Sequence, residues 1–251
     1  MASVDTRPNG TTPAPSGPPP RTVYLVGGVI LVALVVVAAI AAVVWPQMHG
    51  GGAGDTAHTV TGAVGGRDHA TLDLVTGAAS VNMQAADLGD TLYRVDTPQT
   101  AAVHDTGDRV EVQVTDGNAE VTIQLNRDVT WAVRFTGGAQ SNTADLRALN
   151  HLASIEYVGG VSAIELSLPV PSGTVPVRID GGASAVRITA PSGTPVRVQA
   201  AGGAGRVTVD GADHNGVGAG SAFPSNGWEA AQNRYDAVAA GGVSTFTVEH
   251  A

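Results

Sequence analysis

Paired glycines recur through the second half of the chain, at Gly137-Gly138, Gly159-Gly160, Gly181-Gly182 and Gly202-Gly203, in steps of 22, 22 and 21 residues. Each of the last three pairs opens a similar phrase: Gly-Gly-Val-Ser-Ala-Ile-Glu-Leu from Gly159, Gly-Gly-Ala-Ser-Ala-Val-Arg-Ile from Gly181, and Gly-Gly-Ala-Gly-Arg-Val-Thr-Val from Gly202. A further copy, Gly-Gly-Val-Ser-Thr-Phe-Thr-Val, starts at Gly241. A fixed period of this size marks stacked units, each burying its apolar face against its neighbours.

Within a unit, apolar residues alternate with polar ones, as in Ile164-Glu-Leu-Ser-Leu168 and Val175-Pro-Val-Arg-Ile179. That spacing describes a half-buried strand, because successive side chains point to opposite faces. Pro171-Ser-Gly-Thr174 and Pro191-Ser-Gly-Thr194 supply turns between the runs. The expectation is an all-β chain, specifically a β-solenoid of about 21–22 residues per coil, with an antiparallel β-sandwich as the alternative. Gly160 and Gly182 are expected at equivalent corners, at least one glycine of each pair having positive φ.

Residues 23–45 set the location. From Val23 to Trp45 the chain carries no charge, and a helix of this length reaches about 35 Å, enough to cross a hydrocarbon core of about 30 Å. Tyr24 and Trp45 sit at its ends and Pro46 follows. The apolar run is longer than that of a cleaved signal peptide, so it is expected to stay as a transmembrane helix. Arg7 and Arg21 precede it, and no Arg follows until Arg67. This asymmetry places the N terminus in the cytoplasm and the rest outside. The expected organisation is a disordered Pro-rich tail over 1–22, the helix over 23–45, a Gly-rich stalk over 46–69, and an extracytoplasmic solenoid over 70–251, whose N-terminal part is a divergent continuation of the repeat.

Several chemistries are disfavoured. The chain has no cysteine, hence no disulfide or thiolate site, and its formal net charge of −9 argues against nucleic acid. His49, His58 and His69 are too irregularly spaced for a metal, and the acidic residues between 87 and 116 lack the calcium-loop pattern. No nucleophile elbow, Walker loop, dinucleotide fingerprint or His-Glu-x-x-His occurs. Ser162, Ser184 and Ser244 recur with the repeat and so are expected to serve the corner. Glu165, Asp180 and Asp210 have no acid–base spacing between them. No catalytic residue, cofactor, metal or small-molecule substrate is expected.

The last interval between glycine pairs is 39 residues. The surplus lies between Gly211 and Ala240 and brings Phe223, Trp228 and Tyr235. These three are the candidate interaction residues. Such an insertion either caps the final coil, burying its aromatics over Val207 and Val209, or stands out as a binding loop.

The stretch from Trp131 to Gly211, with Val-Thr-Gly-Ala-Ala-Ser80 upstream and Gly-Gly-Val-Ser-Thr245 at the end, resembles a group of uncharacterised actinobacterial single-pass membrane proteins. These are similar in turn to the bacterial putative-adhesin family of repeated β-strands. The resemblance covers roughly residues 70–251 and rests on repeat glycines and alternating strands. It implies a cell-envelope binding module touching cell-wall polymer or an envelope protein, and supplies no catalytic residues. An accessory role in envelope-stress signalling, exerted through membrane partners, is the alternative it leaves open.

Overall fold

A computed structural model describes residues 58–75, 77–97, 101–114 and 117–251. The expected tail, membrane helix and residues 46–57 of the stalk lie outside them. Among the described residues every regular element is a strand. In chain order these are β1 (His58–Ala63), β2 (His69–Leu74), β3 (Ala78–Ala86), β4 (Thr91–Thr97), β5 (Ala101–Thr106), β6 (Arg109–Val114), β7 (Glu120–Asn126), β8 (Thr130–Phe135), β9 (Ala139–Asp145), β10 (Leu152–Tyr157), β11 (Val161–Ser167), β12 (Thr174–Ile179), β13 (Ala183–Ala190), β14 (Val196–Ala200), β15 (Ala204–Val209), β16 (Ala212–Val217), β17 (Ser221–Pro224), β18 (Arg234–Ala239) and β19 (Val243–His250). The first strand falls inside the stretch read as stalk, where Thr59, Val60 and Thr61 pair with β4.

The strands form two mixed sheets. One runs β1-β4-β7-β3-β9-β11-β13-β19-β15-β16, the other β17-β14-β18-β12-β10-β8-β2-β6-β5. From β8 to β13 the chain alternates between them, and pairing is parallel at the period read from the sequence. Val133 faces Ile155 and Ile155 faces Val177, while Val161 faces both Ala139 and Ala183. Alternation puts Val175, Val177 and Ile179 inside from one sheet, and Ile164, Leu166, Val186 and Ile188 from the other. Together they belong to a single apolar core. Antiparallel pairing is confined to the ends, in β1-β4, β4-β7 and β5-β6 at one and β15-β16 and β14-β17 at the other. These strands cover the faces that the terminal parallel strands would otherwise expose.

Stacking does not follow chain order. The last pair of strands, β18 and β19, lies between β12/β13 and β14/β15: β18 pairs with β12 and β14, and β19 with β13 and β15. The other end has the same arrangement, with β2 and β3 lying between β6/β7 and β8/β9.

The glycine pairs form the three-residue corners from one sheet to the other, but positive φ is not their reason. Gly159, Gly160, Gly181 and Gly182 lack it, and among these corners only Gly203 has it, at 84°. Gly159, Gly181, Gly202 and Gly241, each the first glycine of its pair, are instead pressed against the backbone of the adjacent corner. A Cβ on Gly159 would stand 2.5 Å from the Gly137 carbonyl, and one on Gly202 2.5 Å from the Ala240 oxygen. Positive φ occurs at the opposite corners, at Gly173 (75°) and Gly193 (78°). There the Thr194 N–H donates to Pro191 O at 3.0 Å, closing a four-residue turn whose third position requires glycine.

Candidate interaction surface

The stretch from Gly211 to Ala240 is not one loop. Asp210 (φ 53°) and Gly211 (φ 78°) make the tight turn of the β15-β16 hairpin, the mirror-image geometry that suits a two-residue connection. β16 thus extends the first sheet and β17, antiparallel to β14, extends the second. Phe223 lies on β17, partly buried against the core, with its ring stacked on His214 at 4.3 Å.

Trp228 follows in the irregular segment after β17 and is only 4% exposed. Its indole N–H donates to Tyr235 O at 2.9 Å. Two guanidiniums stand over the ring, Arg197 at 3.8 Å and Arg234 at 3.9 Å from its centre. Asp236 holds Arg197 through two hydrogen bonds of 2.9 and 2.6 Å and raises its pKa, chiefly through that hydrogen bonding. Arg234 donates to Trp228 O at 2.8 Å and to Thr174 Oγ1 at 3.0 Å. The indole is therefore packed beneath cations rather than laid on Val207 and Val209, and it ties β14 and β18 together.

Tyr235 lies in β18, fully buried, its hydroxyl donating to Pro169 O at 2.8 Å. Burial pushes its phenol pKa up. The structure thus joins Trp228 to Tyr235 and leaves Phe223 in a separate contact on the cap. Strand β18 had a legible signal in the alternation of Tyr235, Ala237 and Ala239, weakened by the two alanines.

The positions proposed against chemistry separate widely. Asp87, Asp96 and Asp105 pair with Arg127, Arg94 and Arg67 instead of converging on a common point. Asp180 pairs with Arg178 at 2.8 Å and Asp210 with His250 at 3.1 Å. His58 and His69 lie on β1 and β2, and among the described residues no group of three His, Asp or Glu is placed to hold a metal ion. Ser162, Ser184 and Ser244 are exposed just after the corner, at positions that the ladders β11-β13 and β13-β19 skip.

What sequence reasoning missed is the outer face of the ten-stranded sheet. Register aligns Thr122, Asn82, Thr143, Glu165, Arg187, Thr247 and Thr208 in one row across seven strands. A neighbouring row holds Gln124, Gln84, Asp145, Ser167, Thr189 and Glu249. Strands repeat about every 4.8 Å, so these short hydroxyl, amide and charged groups form a regular polar surface. The signal was present in Glu165 and Arg187, outward positions one repeat apart.

No family model and no curated protein matches the sequence. Among solved structures, a putative cell adhesion protein from Clostridium sporogenes matches over 79% of this chain and 100% of its own, with TM-score 0.60 and 16% identity. The two share a fold. A putative adhesin from Bacteroides fragilis aligns over 77% of this chain and 97% of its own at 10% identity, with a TM-score of 0.28, too low to bear on the fold.

Proposed function

We propose that this chain is a membrane-anchored, extracytoplasmic, adhesin-like β-solenoid module of the bacterial cell envelope, and that it works by binding rather than by catalysis. The observation that carries the reading is the ordered outer face of the ten-stranded sheet, where Asn82, Thr143, Glu165, Arg187 and Thr247 stand in one row. An extended, regularly spaced polar surface suits a large partner, cell-wall polymer or an envelope protein, better than it suits one small substrate. The fold shared with a protein described as a putative cell adhesion protein supports the same direction. The uncharged run from Val23 to Trp45 supplies the anchor.

The test is sedimentation of the full chain, in detergent, with isolated envelope fragments. Thr143→Arg and Thr247→Arg, which place bulky cations in the row, should release the protein from the pellet without lowering its stability. Ala132→Arg, on the other sheet, should not. Equal retention by all three variants, or no retention of the parent chain, contradicts the reading. Exchanging Val23 to Trp45 for an unrelated apolar helix should leave binding intact. A loss there would favour an accessory that acts through a membrane partner.

A further inference from the structure

The position of β18 and β19 carries a consequence beyond ligand binding. Val175 and Val196, 21 residues apart, both pair with Tyr235; Ala183 and Ala204, also 21 apart, both pair with Val243. This offset matches the repeat period and nearly equals the 22-residue offset by which β10 stacks directly on β12. The strands flanking the inserted pair are therefore in register to stack on one another when it is absent. The connection between them agrees. Residues 191–195 step over an inserted strand, yet they are fewer than residues 146–151 or 168–173, which join strand pairs that stack directly.

Chain order adds a kinetic reason. A chain made from its N terminus presents β12 to β15 before Arg234 to His250 exist, so the slot between them is open to whichever copy of the last pair reaches it first. The inserted pair is then held by contacts at its borders. Arg197 pairs with Asp236, Arg187 with Glu249, and Tyr235 donates to Pro169. Trp228, under Arg197 and Arg234, latches the segment that leads into it. Residues 225–233 form no strand. At about 3.3 Å per residue such a segment can extend across a neighbouring molecule.

We infer that Arg234 to His250 is an exchangeable segment, and that the partner it fits is a second copy of this chain, whose slot between β12/β13 and β14/β15 it fills in place of the resident strands. The exchanged molecules would keep every strand pairing of β18 and β19, give up the latch that Trp228 makes, and be joined through residues 225–233.

The absence of cysteine makes the test clean. Ala185 and Thr245 are both exposed and face each other across β13 and β19. Two differently tagged full-length chains, one with Ala185→Cys and one with Thr245→Cys, are co-expressed, oxidised and separated without reductant. Exchange gives disulfide-linked heterodimers in several-fold excess over a control pairing of Ala163→Cys with Thr245→Cys. Ala163 faces Ala185 rather than Thr245, so that control reports chance collision. Arg234→Gln, which removes one of the two cations over Trp228 and the bonds of Arg234 to Trp228 O and Thr174 Oγ1, raises the heterodimer yield further. Equal yields from the two pairings, or no heterodimer even with Arg234→Gln, overturn the inference.

Discussion

Gly241 lies against Gly181, sixty positions earlier in the chain, so closely that a Cβ on Gly241 would stand 2.5 Å from the Gly181 carbonyl oxygen. Its partner in the pair, Gly242, has no atom within 4 Å of where a Cβ would go. Gly241→Ala must therefore push backbone apart and should destabilise by about 1–3 kcal/mol, whereas Gly242→Ala should stay within about 0.5 kcal/mol. Urea unfolding of both variants checks this. Similar midpoints for the two would remove the close-approach explanation of the corners.

Inside the core the Tyr157 hydroxyl donates to Asn142 Oδ1 at 2.6 Å, while the Asn142 amide nitrogen has no partner. Burial drives the Tyr157 pKa well up, so the phenol stays neutral and remains a donor. Tyr157→Phe should cost about 1–3 kcal/mol, because it leaves the buried amide wholly unpaired. The corresponding positions on other strands are Val81, Ile164 and Val186. Asn142→Val added to Tyr157→Phe should restore most of the loss. A double-mutant cycle measures this, and additive costs would show that the two groups are not coupled.

The fold was legible where one physical cause produces the pattern. Alternation at Ile164, Leu166, Val177 and Ile179 marks strands because side chains there must face a core, and the period of 22 reappears as the register of β11 on β13. Glycine was ambiguous because it answers two needs. Gly173 and Gly193 serve a left-handed turn, while Gly159 and Gly241 serve backbone contact, and the sequence writes both with the same letter. The insertion of β18 and β19 was illegible for a related reason. Residues spaced 21 apart share a register whether they touch or sandwich another strand. Asn142 escaped notice because nothing in its local sequence says that it faces inward. Trp228 read as part of a cap or of a binding loop, and its actual partners, Arg197 and Arg234, come one from before the insertion and one from within it.

At the other end of the sheets, His69 sits between two carboxylates, Asp68 at 2.6 Å and Asp108 at 3.3 Å. The hydrogen bond to Asp68, then the charge of Asp108, raise its pKa above the ordinary histidine value. A raised folded-state pKa means that its stabilising contribution is full below the unfolded value, near about pH 6.5, and is lost as pH rises through the folded value. Compared with His69→Gln, the parent chain should gain its advantage at acid pH and lose it at alkaline pH. Imidazole NMR titration and pH-dependent unfolding measure the two halves of this expectation. A His69 midpoint at or below the ordinary value contradicts it.

Trp228 should act as a structural latch. Trp228→Ala removes a buried indole, its hydrogen bond to Tyr235 O and the seat of two cations, and should cost about 3 kcal/mol or more. With Trp45 and Trp131 replaced by phenylalanine, the remaining emission should be blue-shifted and resist quenching. Red-shifted, readily quenched emission would make the segment an open binding loop.

The functional reading rests on the proposal that the two-sheet domain is extracytoplasmic, and the cysteine-free chain lets one label test it. Ala185→Cys puts a single thiol on the exposed outer face of β13. Intact spheroplasts are treated with a membrane-impermeant maleimide, quenched and then lysed. The account predicts labelling as complete before lysis as after it. A thiol that reacts only once the membrane is broken would place the domain in the cytoplasm and contradict the proposal.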